Sequence, residues 1–260
     1  MSGFSFEVES GKTVKLATAG KYCNQDILVT AIGGDTETAY QQGVADGKEE
    51  HKARFWYMYQ QAGERRNYEG AFFGVGWSDY LFSPQYDIVA TGSINSMFRR
   101  NSITDLAGIL ERNGVVLNTA SANNVQYTFY LSGVTHIPAL DFSGVANASV
   151  FTQCFASCSD LVTIDKIKLA TISGTFSGVF DSTPMLENIT FEGEINRNGL
   201  SFKTSTKLTH DSLLNILNAL ADYADDTSGT SWVLTLGTAN LAKLTDLEKA
   251  IATEKGWTLV

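Results

Sequence analysis

A block of apolar residues recurs at a fixed interval in the middle of the chain, and this repeat restricts the fold more than any other feature. Four positions return at one constant interval, with every spacing between them kept. A unit of about 25 residues cannot bury its apolar face alone, whereas stacked copies form a continuous core. The sequence therefore predicts a stack of short units. The matched positions are Phe151, Phe155, Leu161 and Ile164 in one copy, and Phe176, Phe180, Leu186 and Ile189 in the next.

Weaker copies precede this pair. One recurs at a slightly longer interval, and a fainter one begins at Met97, with Ile103 and Leu106 at the corresponding spacings. Each unit is predicted to contain a short helix or turn in FTQCFASC and then a strand in LVTIDKIKL. The sequence thus predicts about four units with a cap at each end. The longer interval relates Val134, Ile137, Leu140 and Phe142 to Leu161, Ile164, Ile167 and Leu169.

The segment FTQCFASCSDLVTIDKIKL resembles the BspA-type leucine-rich repeats, whose usual pattern is an aromatic residue, a small residue or Cys, and then Leu-x-x-Ile. The copy FDSTPMLENITF keeps Leu186 and Ile189 but has Thr183 where the preceding copy has Cys158. The resemblance implies a short, degenerate leucine-rich-repeat solenoid. Its motif is informative about fold and says little about function.

The fold class predicted for the whole chain is α+β. Residues 1–34 alternate apolar and polar side chains, which predicts a small β module. Residues 35–63 contain no proline and predict a helix. Residues 64–260 are predicted to form the repeat domain, with an aromatic N-terminal cap (64–92), the repeats (93–195) and an α/β C-terminal cap (196–260).

The helix predicted over residues 35–63 has a thin apolar stripe, so we expect it to need a partner surface. One seam at approximate heptad spacing suits a bundle of copies around a symmetry axis, and a trimer is the expected form. The alternative is a helix that lies across the solenoid. The seam consists of Tyr40, Val44, His51 and Met58.

Aromatic side chains are dense in residues 64–92. Such a cluster is typical of a cap packed over the first turns of a solenoid, and a ligand-binding platform is the alternative. The aromatic residues of the candidate platform are Trp56, Tyr57, Trp77, Tyr80 and Tyr86.

Residues 196–260 carry clear signals for helix ends. A helix is predicted in THDSLLNILNALADYA, beginning at Thr209 or Ser212. Thr245 and Glu248 form a capping-box pattern for a second helix, which Gly256 ends before a final strand in WTLV. A further strand is predicted at residues 232–236, after a loop at 225–229.

Both ends of the chain carry a second resemblance. LTHDSLLNILNALADY and the LTLGTANLAKLTDLEKAIATEKGWTLV that follows look like the ending of leucine-rich-repeat proteins encoded in bacteriophage and prophage structural regions. GKYCNQDILVTA resembles a small β module of phage tail and minor structural proteins. These resemblances imply a virion component.

Composition excludes several partners and sites. The net charge of −9 and pI near 4.8 disfavour nucleic acid, because phosphate contacts need clustered Lys and Arg. No stretch reaches the length of a membrane span, and the first residues lack a signal-peptide pattern, so neither membrane insertion nor secretory export is expected. Three cysteines predict no disulfide framework, and the scattered histidines predict no metal site. Cys154 and Cys158 are therefore predicted to be core thiols, and no cofactor is expected.

Signatures of enzymes are missing from the sequence. Neither a phosphate-binding glycine loop nor a Gly-x-Ser-x-Gly elbow occurs. Cys154 with His136 could form a nucleophile and base, but both fall beside core positions of the repeat. The carboxylates that could serve a glycosidase are those expected of any acidic surface. They are Asp160, Asp165, Asp181, Glu187, Glu192 and Glu194.

The function predicted from the sequence is a non-enzymatic virion component of a bacteriophage, in the tail, baseplate or a head appendage. It would be made in the host cytoplasm, assemble with other virion proteins and with itself, and contact a protein or glycan of the host surface. A bacterial surface or secreted adhesin with the same repeats is the alternative, and a glycan-active enzyme is the third reading.

Overall fold

The computed structural model describes residues 87–112 and 114–260, and these combine short helices with short strands. The predicted α+β class is confirmed for these residues, in the sense that they contain both helices and strands. The predictions for residues 1–34, for 35–63 and for nearly all of 64–92 lie outside the described residues. The elements are β1 (Ile88–Val89), α1 (Leu106–Arg112), β2 (Leu117–Asn118), β3 (His136–Ile137), β4 (Leu140–Phe142), a 3₁₀ helix (Ala148–Phe151), β5 (Thr163–Leu169), β6 (Asn188–Glu192), α2 (His210–Asn218), β7 (Trp232–Leu234), α3 (Thr238–Leu241), α4 (Asp246–Glu254) and β8 (Trp257–Leu259).

We call each repeated unit a layer, and the strands of successive layers pair in parallel. β3 and β4 both pair with β5, and β5 pairs with β6. Ile137 lies opposite Ile164, which lies opposite Ile189, so the two intervals that relate the apolar positions in sequence are also the intervals of the strand register. All three side chains are buried. The predicted equivalence of these positions is confirmed.

The turns between strands form a second ladder. The backbone N–H of Phe98 donates to the carbonyl of Thr128 at 2.7 Å, and the N–H of Phe129 donates to that of Cys154 at 2.8 Å. Each turn therefore donates to the turn of the following unit. Five phenylalanine rings stack along the core above this ladder, with centroids 4.8 to 5.5 Å apart: Phe98, Phe129, Phe155, Phe180 and Phe202.

Parallel pairing is present from the first described strand, because β1 pairs with β2. Ile94, whose N–H donates to the carbonyl of Asn124, begins the first turn ahead of Met97. α1 was not predicted, although Asp105 accepts a hydrogen bond from the N–H of Gly108 and three apolar residues at helical spacing are buried. They are Leu106, Ile109 and Leu110.

Small polar side chains and one thiol form a buried column beside the phenylalanines. Ser132 Oγ donates to the carbonyl of Asn101, Cys158 Sγ donates to the carbonyl of Phe129, and the hydroxyls of Thr183 and Ser205 lie 2.8 Å apart. As predicted, Cys158 and Thr183 occupy equivalent inward positions, and both are fully buried. The column satisfies polar groups that burial would otherwise leave unpaired.

The predicted C-terminal helices and strands form where expected, and the structure adds α3, which was not predicted. The Thr209 side chain caps α2, and Thr245 and Glu248 make the reciprocal capping box of α4. Gly256 has φ of +79°, the left-handed conformation that favours glycine after a helix. The ammonium of Lys255 donates to the carbonyls of Asn218 at 2.6 Å and Leu220 at 2.8 Å, so it stabilises the C-terminal end of α2.

Candidate binding surface

The outward side chains of the paired strands form a surface that we call the polar strand face. Alternation along β5 turns Ile164 and Ile167 inward and leaves polar side chains outside. A bulge between these two isoleucines shifts the register against β6, so that two successive residues of β5 reach the surface. The polar strand face consists of Asp105, His136, Asp141, Asp165, Lys166, Lys168 and Glu192.

His136 joins three layers of this surface. Its Nε2 lies 2.6 Å from Oδ1 of Asp165, and its Nδ1 lies 3.5 Å from Oδ1 of Asp105. A neutral imidazole carries one N–H and can donate to one of the two carboxylates, whereas an imidazolium donates to both. The three side chains are 38 to 46% exposed, so solvent and a partner can reach them.

Two ion pairs continue the row. Lys166 Nζ lies 2.6 Å from a carboxylate oxygen of Glu192, and Lys168 Nζ lies 3.1 Å from one of Asp141. The hydrogen bond from Lys166 lowers the pKa of Glu192, and the hydrogen bond to Asp141 raises the pKa of Lys168. These exposed pairs add little to the free energy of unfolding.

Asp141 is the most enclosed carboxylate of the polar strand face. Partial burial acts to raise the pKa of Asp141, but hydrogen bonds from Ser143 and Lys168 outweigh it and lower that pKa overall. The backbone N–H of Asp141 also donates to the hydroxyl of Thr119 at 3.0 Å. The carboxylate is therefore ionised at neutral pH, and it accepts hydrogen bonds from the backbone N–H of Ser143 and from Lys168.

The buried thiols have a structural role. Cys154 and Cys158 are free and fully buried. Burial raises the pKa of Cys158 to about 12 and raises the pKa of Cys154 still more strongly. Thiolate is the reactive form of cysteine, so neither group is poised as a nucleophile. The prediction that these two cysteines are core thiols is confirmed.

A nucleophile and base pair does not form between Cys154 and His136. The imidazole ring contacts the carboxylates of Asp105 and Asp165 on the surface, whereas Cys154 is enclosed in the core beside Thr128. The arrangement around His136 brings an imidazole and two carboxylates together at the solvent-exposed side of the strands.

The sequence did not predict the polar strand face. The sequence placed Asp165 and Glu192 among the carboxylates of an ordinary acidic surface, whereas the structure pairs them with His136 and Lys166. The alternate positions of the repeated strands carried the signal, because the outward residues of LVTIDKIKL include Asp165 and Lys168. The ion pairs between layers could not be predicted from the sequence, because they depend on which residues face each other across neighbouring strands.

The site residues that the sequence did propose lie outside the described residues. They are the aromatic platform of Trp56, Tyr57, Trp77, Tyr80 and Tyr86, and the helical seam of Tyr40, Val44, His51 and Met58. Both remain predictions.

Comparison with known protein families, with characterised proteins and with solved structures gave no match for this chain. In residues 87–112 and 114–260, no helix has the length and apolar character to cross a membrane. The same residues contain no group of three or more His, Cys, Asp and Glu side chains that could hold a metal ion.

Proposed function

We propose that this chain is a non-enzymatic binding protein built on a short solenoid of the leucine-rich-repeat kind. One observation carries the proposal: the intervals that relate the apolar positions are also the intervals of the parallel strand register. Stacked units of this type produce extended surfaces on which side chains of successive layers stand in rows, and repeat proteins use such surfaces for binding.

The polar strand face is the binding surface in this proposal. It carries both positive and negative side chains, which pair across neighbouring layers, as in Lys166 with Glu192 and Lys168 with Asp141. Pre-organised charges select a partner by complementarity more than they increase raw affinity. A host-surface protein or glycan is the expected partner.

We place the protein in a bacteriophage virion, in the tail, baseplate or a head appendage. This part of the proposal rests on the resemblance of both chain ends to phage structural proteins. It includes synthesis in the host cytoplasm and assembly with other virion proteins and with further copies of the chain.

Immunogold electron microscopy tests the placement. Particles would be purified from a lysate of the strain that carries the gene and decorated with an antibody raised against residues 87–260. The proposal expects gold at one fixed position on each particle. Gold on the bacterial envelope and none on particles would support the adhesin alternative and overturn the virion assignment.

A second experiment tests the binding surface. Lys168→Glu and Lys166→Glu place like charges against Asp141 and Glu192, and both variants should lower adsorption of purified protein to host cells. Lys203→Glu, at an exposed position on a turn, is the matched control and should leave adsorption unchanged. Adsorption of all three variants equal to that of the parent protein would exclude the polar strand face as the binding surface.

A further inference from the structure

A basic and aromatic patch lies on the turns of the first two described layers rather than on the strands. The guanidinium carbon of Arg99 lies 5.3 Å from the ring centroid of Tyr127 and 5.1 Å from that of Tyr130. The two rings meet edge to face, with centroids 5.7 Å apart. Next to them, Arg100 is exposed and Leu131 is 40% exposed. We call these five residues the basic aromatic patch.

Three bulky residues of the patch have an unfavourable backbone conformation. Arg100, Tyr127 and Leu131 have φ of 53°, 55° and 59°. For a residue with a Cβ, the left-handed region costs about 1 kcal/mol or more. The following layers use smaller or more permissive residues at the equivalent turn positions, namely Gln153 and Gly178 in place of Tyr127, and Ser157 and Ser182 in place of Leu131.

The turn therefore does not require these side chains. Among the described residues, seven left-handed positions on the turns are held by residues other than glycine, and the large ones are concentrated in this patch. A bulky side chain at a strained and solvent-accessible position is the ground on which we infer a role outside the fold. Tyrosine and arginine are also the residues most enriched at the centres of protein interfaces.

The chemistry of the patch selects one class of partner. The exposed guanidinium of Arg100 favours carboxylates, and Leu131 with the tyrosine rings favours an apolar or aromatic side chain. The guanidinium of Arg99 lies over the rings of Tyr127 and Tyr130, which reduces the aromatic face on which a sugar could stack. The net charge of −9 opposes binding of a polyphosphate backbone.

We propose that the basic aromatic patch binds a segment of a partner protein in which carboxylates flank an apolar or aromatic side chain. The site lies on the turns and does not depend on the function assigned to the polar strand face. The patch adds a second contact surface, which is basic although the chain as a whole is acidic.

Fluorescence anisotropy with the full-length chain tests this proposal. The probes are a labelled random copolymer of glutamate and tyrosine, labelled polyglutamate and labelled polygalacturonate. The copolymer should bind about tenfold more tightly than polyglutamate, because the tyrosines contact the apolar part of the patch. Arg100→Glu and Leu131→Ser should each weaken copolymer binding by about tenfold.

The variants are chosen to keep the fold. Leu131→Ser introduces the residue that stands at the equivalent position of the next two layers, and Arg100 is exposed. Arg112→Glu is the matched control, since Arg112 is 66% exposed and lies at the end of α1. Circular dichroism would verify that all three variants fold.

Three results would overturn the proposal. The first is that the copolymer binds no more tightly than polyglutamate, and the second is that Arg112→Glu weakens copolymer binding as much as Arg100→Glu does. The third is that polygalacturonate binds more tightly than the copolymer and depends equally on Arg100, which would assign the patch to an acidic glycan.

Discussion

Ile164 and Ile189 lie side by side on adjacent parallel strands, one repeat apart in sequence, and both side chains are buried. Their pairing fixes which residues of each unit face the core and which face solvent. It therefore connects the repeat in the sequence with the parallel pairing of the layers and with the polar strand face.

Replacement of Leu161 or Leu186 by Asp should strongly destabilise the protein. Both side chains are fully buried at equivalent positions, so the new carboxylate would lack a partner in the core. The expected cost is several kcal/mol, on the order of 3 to 5 kcal/mol. Urea unfolding measures the loss, and Ser159→Asp at an exposed neighbouring position is the control. Variants as stable as the control would refute the register.

Cys154 and Cys158 should resist thiol reagents in the native protein. Both are buried, and burial raises the pKa of each thiol far above pH 8. Alkylation at pH 8 followed by peptide mass spectrometry should find both peptides unmodified in the native protein and modified after denaturation. Cys23 lies outside the described residues, and its peptide is scored separately. A disulfide between Cys154 and Cys158 would contradict this account.

The stability should fall in acid partly through Asp141. The pKa of Asp141 is lower in the folded protein than its ordinary value, so its contribution is complete above the unfolded pKa of about 4 and is lost as the pH falls through the folded pKa. Lys168→Met removes one of the hydrogen bonds that lower this pKa. Urea unfolding between pH 6 and pH 3 should show a smaller acid-dependent loss for Lys168→Met than for the parent, and an equal loss would exclude this role.

Gly256→Ala should destabilise the C-terminal elements more than Gly229→Ala does. Both glycines have positive φ, at +79° and +77°, so both substitutions carry the cost of the left-handed conformation. Only at Gly256 would the new Cβ lie 2.7 Å from the carbonyl oxygen of Tyr223, whereas nothing lies within 4 Å at Gly229. Thermal unfolding compares the two, and equal melting temperatures would indicate that this close approach does not exist.

Local signals in the sequence predicted the parts of the fold that depend on neighbouring residues. The capping box of Thr245 and Glu248 and the stop at Gly256 were read correctly because they involve only a few residues along one helix end. The repeat of Phe155 at Phe180 was visible because both rings occupy the same core position.

Features that depend on contacts between layers could not be predicted. His136 contacts Asp105 before it and Asp165 after it in the chain, and both separations exceed the intervals that relate the matched apolar positions. The left-handed conformation of Tyr127 and Leu131 was equally hidden, since tyrosine and leucine rarely adopt it. The polar strand face could therefore be identified only once the pairing of the strands was known. The binding residues proposed from the sequence lie outside the described residues.

Disulfide trapping of the strand register tests the central claim most directly. Thr163 and Asn188 are register partners on β5 and β6, and both are accessible to solvent. Directly paired positions meet the Cα separation of about 4.4 to 6.8 Å that a disulfide needs. In a Cys23→Ser background, the pair Thr163→Cys with Asn188→Cys should oxidise readily, whereas Thr163→Cys with Thr190→Cys, displaced along β6, should not. Rapid oxidation of the displaced pair, or none in the matched pair, would contradict the stacked register on which the proposed binding surface depends.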